Sequence, residues 1–377
     1  PADPTRYHYG DGFESFRTVS ERIDVAGGDP VVVDLAFTRH GPVIFSDTDR
    51  GFAVGLRAVW LEPGMLPYLG SLSYIGAKNA EEFLAGLENW GAPGVNQVYA
   101  TIQGDIGWQG SALVPKRPNW DGSLPVPGDG RYEWDGFVRV SGLPRVQNPD
   151  RGWIATANEM NLPEGFSNEK LTITYDWYTR DRYERLEEWL NQTELVGIED
   201  SVAMQSDSFN LHAREIISLL ASVDSSTLLN AGSFEALRAW DGNESLGSFE
   251  GLLFEVWYRR HFRVRLAEHH LRKLDFDEGK TAGALPYVVK DESFGADLRG
   301  GLRMLKAIDW EDPAAVAALT AAIDETLAAA VAEIARLLGS DRAGWTWGAL
   351  NHALLVNIAP AAVPGVDDAW QRLPVAP

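Results

Sequence analysis

The sequence predicts an α+β protein in which a β-rich part precedes a helix-rich part. Residues 1–160 contain short stretches that alternate apolar and polar side chains, and glycine-containing turns separate them. Residues 176–340 instead repeat apolar side chains at steps of three and four, which is the helical period. Because the strands are not interleaved with helices, the order argues against a sheet built from alternating β and α units.

The β-rich part divides into several predicted elements. Strands are expected in the segments "ESFRTVSERIDVAG", "PVVVDLAFT", "GPVIF" and "GFAVGLRAVW". A helix is predicted over 78–90, with Asn79 as its N-cap. A hairpin is predicted over 95–108, with its turn near Gly104.

The helix-rich part contains three amphipathic stretches, over 176–192, 248–272 and 313–338. We therefore divide the chain into three regions. Residues 1–175 form the β-rich part of the core, residues 176–340 a helical region, and residues 341–377 a segment that returns to the core.

Composition narrows the function. The chain of 377 residues has a formal net charge of −21, which disfavours nucleic-acid binding because phosphate contacts need clustered Lys and Arg. It has no cysteine, so disulfides, thiolate metal sites and cysteine nucleophiles are excluded. We expect no membrane span.

The sequence pattern does not favour a catalytic or metal-binding role for His40, His269 or His270. His40 lies in a predicted turn between two strands, and a structural role is favoured for it. His269 and His270 are adjacent on a predicted helix, whereas a helical metal pair needs positions i and i+4. We therefore predict no metal at this pair.

The stretch "GWIATANEMNLP", residues 152–163, reads as an apolar strand over residues 153–157 that ends at Asn158. An asparagine at such a position commonly closes a loop. It can equally serve as a hydrogen-bond donor for chemistry, and the local sequence leaves both interpretations open.

Positive side chains crowd the start of a predicted helix in "YTRDRYERLEEWL". Arg180, Arg182 and Arg185 lie where the helix macrodipole disfavours positive charge, so negative groups must hold them. A structural salt bridge and a substrate group both meet that need, and the pattern alone favours the salt bridge.

Several segments, taken together in this order, resemble one known family. They are "NQVYATIQGDIGWQGSALVPKR", "LPVPGDGRYEWDGF", "NPDRGWIATANEMN", "RDRYERLEEWL", "LRAWDG" and "WTWGALNHALL". The chain resembles the middle portion of the β-subunit of the penicillin acylase (penicillin amidase) family of N-terminal-nucleophile (Ntn) hydrolases. The family includes penicillin, cephalosporin, acyl-homoserine-lactone and lipopeptide acylases. The resemblance implies a partial Ntn-hydrolase αββα sandwich with a large helical insertion.

The resemblance also implies the chemistry. In the family, autocatalytic processing frees an N-terminal serine that attacks an amide carbonyl, with its own α-amine as the base. The matching oxyanion donor is Asn158, and the arginine that supports it and the nucleophile falls on Arg182. Val95 matches a residue that lines the acyl pocket. The resemblance thus assigns Arg182 the functional role that its local pattern did not favour.

The resemblance implies no required cofactor, although some family members bind a structural calcium. Its main-chain ligand would fall on Gly122. No aspartate stands in register for the side-chain ligand, so Glu169 or Asn168 would have to substitute.

The serine nucleophile is expected outside this chain, because no Gly-Ser pair in it is followed by Asn. We expect the α-subunit and the remaining β-subunit segments of the same precursor as partners. The substrate would be a small-molecule or peptide acyl amide, and the location periplasmic or secreted. Alone the chain should be inactive. The alternative is a non-catalytic or truncated scaffold that binds acylated ligands.

Overall fold

The computed structural model describes residues 3–64, 68–274, 277–282, 298–351, 354–356 and 372–374. The chain divides into two compact units, residues 1–177 and 178–377. Strands predominate in the first unit and helices in the second, so the α+β prediction is confirmed.

The first unit begins with a hairpin and an antiparallel sheet. The hairpin pairs β1 (Arg6–Tyr9) with β2 (Gly12–Ser15). The sheet has four strands in sequence order, β3 (Arg17–Ile23), β4 (Val31–Thr38), β5 (Gly41–Asp47) and β6 (Phe52–Gly55). Gly41 opens β5 with φ +133°, and a Cβ there would lie 2.1 Å from the Leu56 carbonyl oxygen. Only glycine fits this turn.

The predicted helix and hairpin both form in the first unit. Helix α1 (Ala80–Gly86) begins where the Asn79 side chain accepts a hydrogen bond from the Glu82 N–H. The hairpin pairs β7 (Val95–Ala100) with β8 (Ile106–Ser111). Three short strands follow, β9 (Val114–Pro115), β10 (Phe137–Val138) and β11 (Arg145–Gln147), of which β11 pairs with β8 and β9 with β10.

The second unit is a helical assembly. Its helices include α2 (Asp181–Gln192), α3 (Ile198–Gln205), α4 (Leu211–Leu219), α5 (Ala231–Ala239), α6 (Phe249–Val256), α7 (Arg263–Lys273), α8 (Leu298–Lys306), α9 (Pro313–Leu338) and α10 (Trp347–Leu350). Two short strands, β12 (Leu354–Val356) and β13 (Arg372–Pro374), pair with each other. The predicted helix over 313–338 is confirmed.

The core of the second unit surrounds a π-helical segment, Trp257–Phe262, that joins α6 to α7. The rings of Trp257 and Phe262 stack with centroids 4.6 Å apart, and their spacing of five residues equals the i→i+5 hydrogen-bond spacing of a π-helix. The Trp257 indole N–H donates to the Thr326 hydroxyl of α9 at 2.9 Å. The predicted helix over 248–272 therefore forms, but with this interruption.

Helix α9 bears on the expectation that the chain has no membrane span. Among the described residues it is long and apolar enough to cross a membrane by length and composition, with a mean hydropathy of 1.6. Three of its apolar residues, Ile323, Leu327 and Ile334, are fully buried in the core of the second unit. Length and composition alone are therefore weak grounds for a span.

Two predicted boundaries are wrong. The strand expected over residues 153–157 does not form, because the Ala157 N–H donates to the Glu159 side chain instead of a neighbouring strand. The helix expected over 176–192 begins only at Asp181. Most of the predicted return segment, at 352–353, 357–371 and 375–377, lies outside the described residues.

Candidate active site

Asn158 has a left-handed backbone, with φ +66°. Asparagine tolerates this conformation better than most residues because its short polar side chain limits the steric cost. Asn158 itself is exposed, whereas its neighbours Ala157 and Glu159 are only 6% and 1% exposed. Asn158 is therefore an exposed amide side chain flanked in sequence by two buried residues.

A hydrogen bond spans this position. The Ala157 N–H donates to Oε2 of Glu159 at 2.7 Å, so the Glu159 side chain reaches back over Asn158. The backbone on both sides of Asn158 is thereby fixed by burial and by this bond. Non-glycine residues held in such conformations cluster at functional sites, and asparagine also adopts them in ordinary turns.

The Asn158 segment is also attached to the hairpin. Asn161 donates from Nδ2 to Oδ1 of Asn96 on β7 at 3.2 Å. The same Asn96 oxygen accepts from the Trp108 indole N–H on β8 at 2.7 Å. The structure therefore places the segment 158–161 beside the start of β7, where Val95 is the first residue.

Val95 is half-buried and packs against the small core formed by Leu87, Trp90 and Val140. Adjacent residues of a strand point to opposite faces, so its side chain and that of Asn96 lie on opposite sides of the hairpin. Asn161 contacts the Asn96 side. That Val95 lines an acyl pocket stays a prediction.

Arg182 is the second residue of α2 and is exposed. Its guanidinium carbon lies 5.7 Å from the centroid of the Tyr178 ring, a cation–π contact. Asp181 and Glu184 place acids in the same first turn, where the macrodipole favours them. The support that Arg182 gives to the nucleophile and to Asn158 stays a prediction.

A neighbouring arginine, Arg185, forms salt bridges of the kind predicted for this helix. Arg185 donates from Nε to Oδ2 of Asp207 at 2.6 Å and contacts Glu188 at 3.3 Å. The hydrogen bond and charge of Asp207 raise the pKa of Arg185. The positive charge at the start of α2 is therefore partly held by acids of the second unit.

The residues expected to hold calcium have other close neighbours in the structure. Gly122 has φ +86°, and a Cβ there would lie 3.1 Å from the guanidinium carbon of Arg117, so a positive charge already adjoins it. The Asn168 amide oxygen accepts from the Ile173 N–H at 2.9 Å, and Glu169 is exposed. In the part of the chain that the structure describes, no three His, Asp or Glu residues cluster as a metal site. Calcium stays a prediction.

Three contributors to this region were missed by sequence reasoning. Glu159, Asn96 and Asn161 hold the Asn158 segment, and two of them act across more than 60 residues of sequence. Of the three, only Glu159 could be found from the sequence, because it directly follows Asn158 in "TANEMN".

The fold is that of the penicillin G acylases among the Ntn hydrolases. The structure superposes on a thermostable penicillin G acylase from Alcaligenes faecalis with a TM-score of 0.66 and 22% sequence identity, covering 92% of this chain and 65% of that one. The family model for penicillin amidase matches residues 1–374. The chain belongs to the penicillin amidase family.

Known relatives carry two kinds of name. The chain is 29% identical over 317 residues to penicillin acylase 2 proenzyme of Pseudomonas sp. (strain SE83), covering 81% of this chain and 40% of that protein. It is 28% identical over 363 residues to acyl-homoserine lactone acylase QuiP of Pseudomonas fluorescens (strain Pf-5), covering 90% and 43%. The chain thus spans about two fifths of the length of these relatives.

Proposed function

We propose that the full-length protein hydrolyses the amide bond of an acylated small molecule, and that this chain supplies the oxyanion donor Asn158. The observation that carries the proposal is the placement of Asn158, an exposed amide with a left-handed backbone between two buried residues. Family membership and the names of the relatives support amide hydrolysis.

The proposed role of Asn158 is electrostatic. When a nucleophile adds to an amide carbonyl, the oxygen gains negative charge, and a fixed amide N–H stabilises it. Asn is suited to this because its NH₂ donates without carrying a net charge. Removing one such donor typically lowers the rate by about 10²–10³-fold.

The other proposed parts follow from the family. The nucleophile is an N-terminal serine outside this chain, and its α-amine, with an ordinary pKa of about 7.7–8.0, accepts the proton near neutral pH. Arg182 holds the nucleophile and Asn158 in place, and Val95 contributes to the acyl pocket. The partners are the α-subunit and the remaining β-subunit segments, and the protein is exported to the periplasm or beyond.

The proposed substrate class is an acyl chain or aryl-acyl group joined by an amide to a compact polar amine. Both kinds of named relative act on such molecules by name, as penicillin acylases and acyl-homoserine lactone acylases. A panel of phenylacetyl, glutaryl and long-chain acyl amides, assayed with the full-length protein, identifies the preferred acyl group.

The test compares two asparagines. Asn158→Ala and Asn158→Asp in the full-length protein are expected to lower kcat by about 10²–10³-fold. Alanine also tolerates the left-handed backbone less well than asparagine, so thermal stability is measured beside kcat and kcat is compared for the folded fraction. Asn148 is the matched control, because it is an asparagine that also has a left-handed backbone, at φ +46°, and its side chain has a structural role in bonding to the Ile106 N–H and to Asp105. Asn148→Ala should lower stability and leave kcat of the folded protein nearly unchanged.

The outcomes also distinguish the proposed enzyme from the alternative, a non-catalytic scaffold. Unchanged turnover in Asn158→Ala would refute the proposed donor. A full-length protein that binds acyl amides but hydrolyses none of the panel would instead favour a non-catalytic scaffold.

A further inference from the structure

We infer that Glu159 is a positioning residue for Asn158, one that fixes the direction of the proposed oxyanion donor without touching the substrate. The inference rests on the proposed function of Asn158. It starts from the hydrogen bond that joins the two residues on either side of Asn158, from the Ala157 N–H to Oε2 of Glu159 at 2.7 Å.

Both partners of this hydrogen bond are buried, which makes the bond costly to break. Glu159 is 1% exposed and Ala157 6% exposed, so water does not readily replace either partner. A buried carboxyl group without a hydrogen-bond donor is costly, and glutamate is rarely so buried unless it is paired. The chain keeps an acid here although an apolar residue would fill the same space at lower cost, which points to a requirement for its acceptor oxygen.

The bond also fixes the backbone of the residue that it spans. A non-glycine residue is more stable with negative φ, so Asn158 at φ +66° tends to relax toward the extended region. Such a relaxation would move the Ala157 N–H away from the Glu159 carboxyl group and turn the Asn158 side chain to another direction. The Glu159 side chain therefore holds the amide of Asn158 in the direction it has.

A second attachment acts further along the segment and does not replace this one. Asn161 bonds to Asn96 and holds the segment against β7, but it lies three residues after Asn158. It fixes where the segment lies, whereas Glu159 fixes the turn at Asn158 itself. Misplacement of a catalytic group by about 1 Å can lower a rate about 10²-fold.

The test uses four variants of the full-length protein, each assayed with the best chromogenic acyl anilide of the panel. Glu159→Gln keeps the length and an acceptor oxygen, and should retain kcat within about threefold. Glu159→Leu removes the acceptor and Glu159→Asp shortens its reach, and each should lower kcat by about 10–10²-fold with KM nearly unchanged. Glu164→Leu, at an exposed glutamate in the same segment, is the control and should change neither constant.

A double variant separates positioning from a general loss of structure. If Glu159 acts through Asn158, then Glu159→Leu should cost nothing further in an Asn158→Ala background, because contacting residues that act as one unit are not additive. Near-ultraviolet circular dichroism reports the folded content of each variant. If Glu159→Leu does not fold, the Gln and Asp variants carry the same comparison.

Two results would overturn the inference. One is full kcat in folded Glu159→Asp and Glu159→Leu. The other is a loss of kcat on Glu159 substitution that is equal with and without Asn158. If instead Asn158→Ala keeps full turnover, the proposed function fails first, so the two failures are distinguishable.

Discussion

His40 and Glu133 are separated by 93 residues of sequence, yet Nε2 of His40 lies 2.6 Å from Oε1 of Glu133. The other oxygen of Glu133 accepts from Nη1 of Arg57 at 3.0 Å. His40 lies in the turn between β4 and β5, and Glu133 lies in the long segment before β10. One carboxylate thus joins the four-stranded sheet to that segment within the first unit.

This carboxylate should make stability depend on acid pH. Burial tends to raise the pKa of Glu133, but the His40 hydrogen bond and the charges of His40, Arg57 and Arg39 outweigh it, so the pKa lies below its ordinary value of 4.5. A lowered folded-state pKa stabilises the fold above the ordinary value, and this stabilisation is lost as the pH falls through the folded-state pKa.

Glu133→Gln should therefore lower the melting temperature at neutral pH and flatten its decline below about pH 4.5. The effect should be at most about 1 kcal/mol, because the side chain is about one third exposed and partly screened. Thermal scans of the two proteins across this pH range measure it. An equally steep decline in the variant would contradict the prediction.

Glu255 should make the free energy of unfolding depend on pH in the opposite direction to Glu133. Burial raises its pKa to about 8, against the lowering effect of the Arg259 charge, and the nearby Glu244 adds to the rise. A raised folded-state pKa contributes stability that is fully present below the unfolded value and lost as the pH rises through the folded value. Wild-type stability should therefore fall between about pH 5 and pH 8.

Glu255→Gln should remove most of that slope, since glutamine imitates the protonated acid. Urea unfolding at several pH values gives the free energy of unfolding for each protein. Glu250→Gln, in the first turn of α6, is the control for removing a carboxyl group elsewhere on the same helix. Parallel pH profiles for wild type and Glu255→Gln would show that the buried acid is already ionised at neutral pH.

Helix α9 contains a matched pair of leucines for testing its packing. Leu327 is fully buried in the core of the second unit, whereas Leu337 is 37% exposed near the end of the helix. Leu327→Ala should lower the free energy of unfolding by about 2–5 kcal/mol, because it leaves a cavity. Leu337→Ala should cost about 1 kcal/mol or less. Equal effects at the two positions, measured by urea unfolding, would mean that α9 is not seated in this core.

Calcium removal should leave stability unchanged. The Arg117 guanidinium adjoins Gly122, and the Asn168 oxygen is already bonded to the backbone. If calcium did bind, an ion at about 1,000 times its Kd would stabilise the fold by about 4 kcal/mol. A thermal scan of the full-length protein with EDTA, and again with excess calcium, measures the difference. A rise of several degrees with calcium would restore the family's metal site.

Periodicity and capping predicted much of the fold. Asn79 begins α1 as expected, the hairpin of β7 and β8 turns near Gly104, and α9 matches the apolar repeat over 313–338. These features depend on residues close together in the sequence. The strand expected at 153–157 failed because one side chain, Glu159, takes a backbone N–H that a strand would need.

Local sequence patterns predicted less of the candidate site than of the fold. Asn158 and Arg182 emerged from the family resemblance, because a single asparagine or arginine has an ordinary structural role in most loops. The bonds that hold the site, such as Asn161 to Asn96, join residues 65 positions apart. No periodicity encodes such a pair, and only the folded chain brings the two amides together.

The alternation of buried and exposed residues around Asn158 gives a practical guide for engineering. Met160 is 55% exposed, while Ala157 and Glu159 are sealed in the interior. A mutant library can randomise Met160 with little damage to folding yield, because its side chain is largely exposed. The same diversity at the buried Ala157 should lower the folding yield more often, because larger side chains would overpack that position.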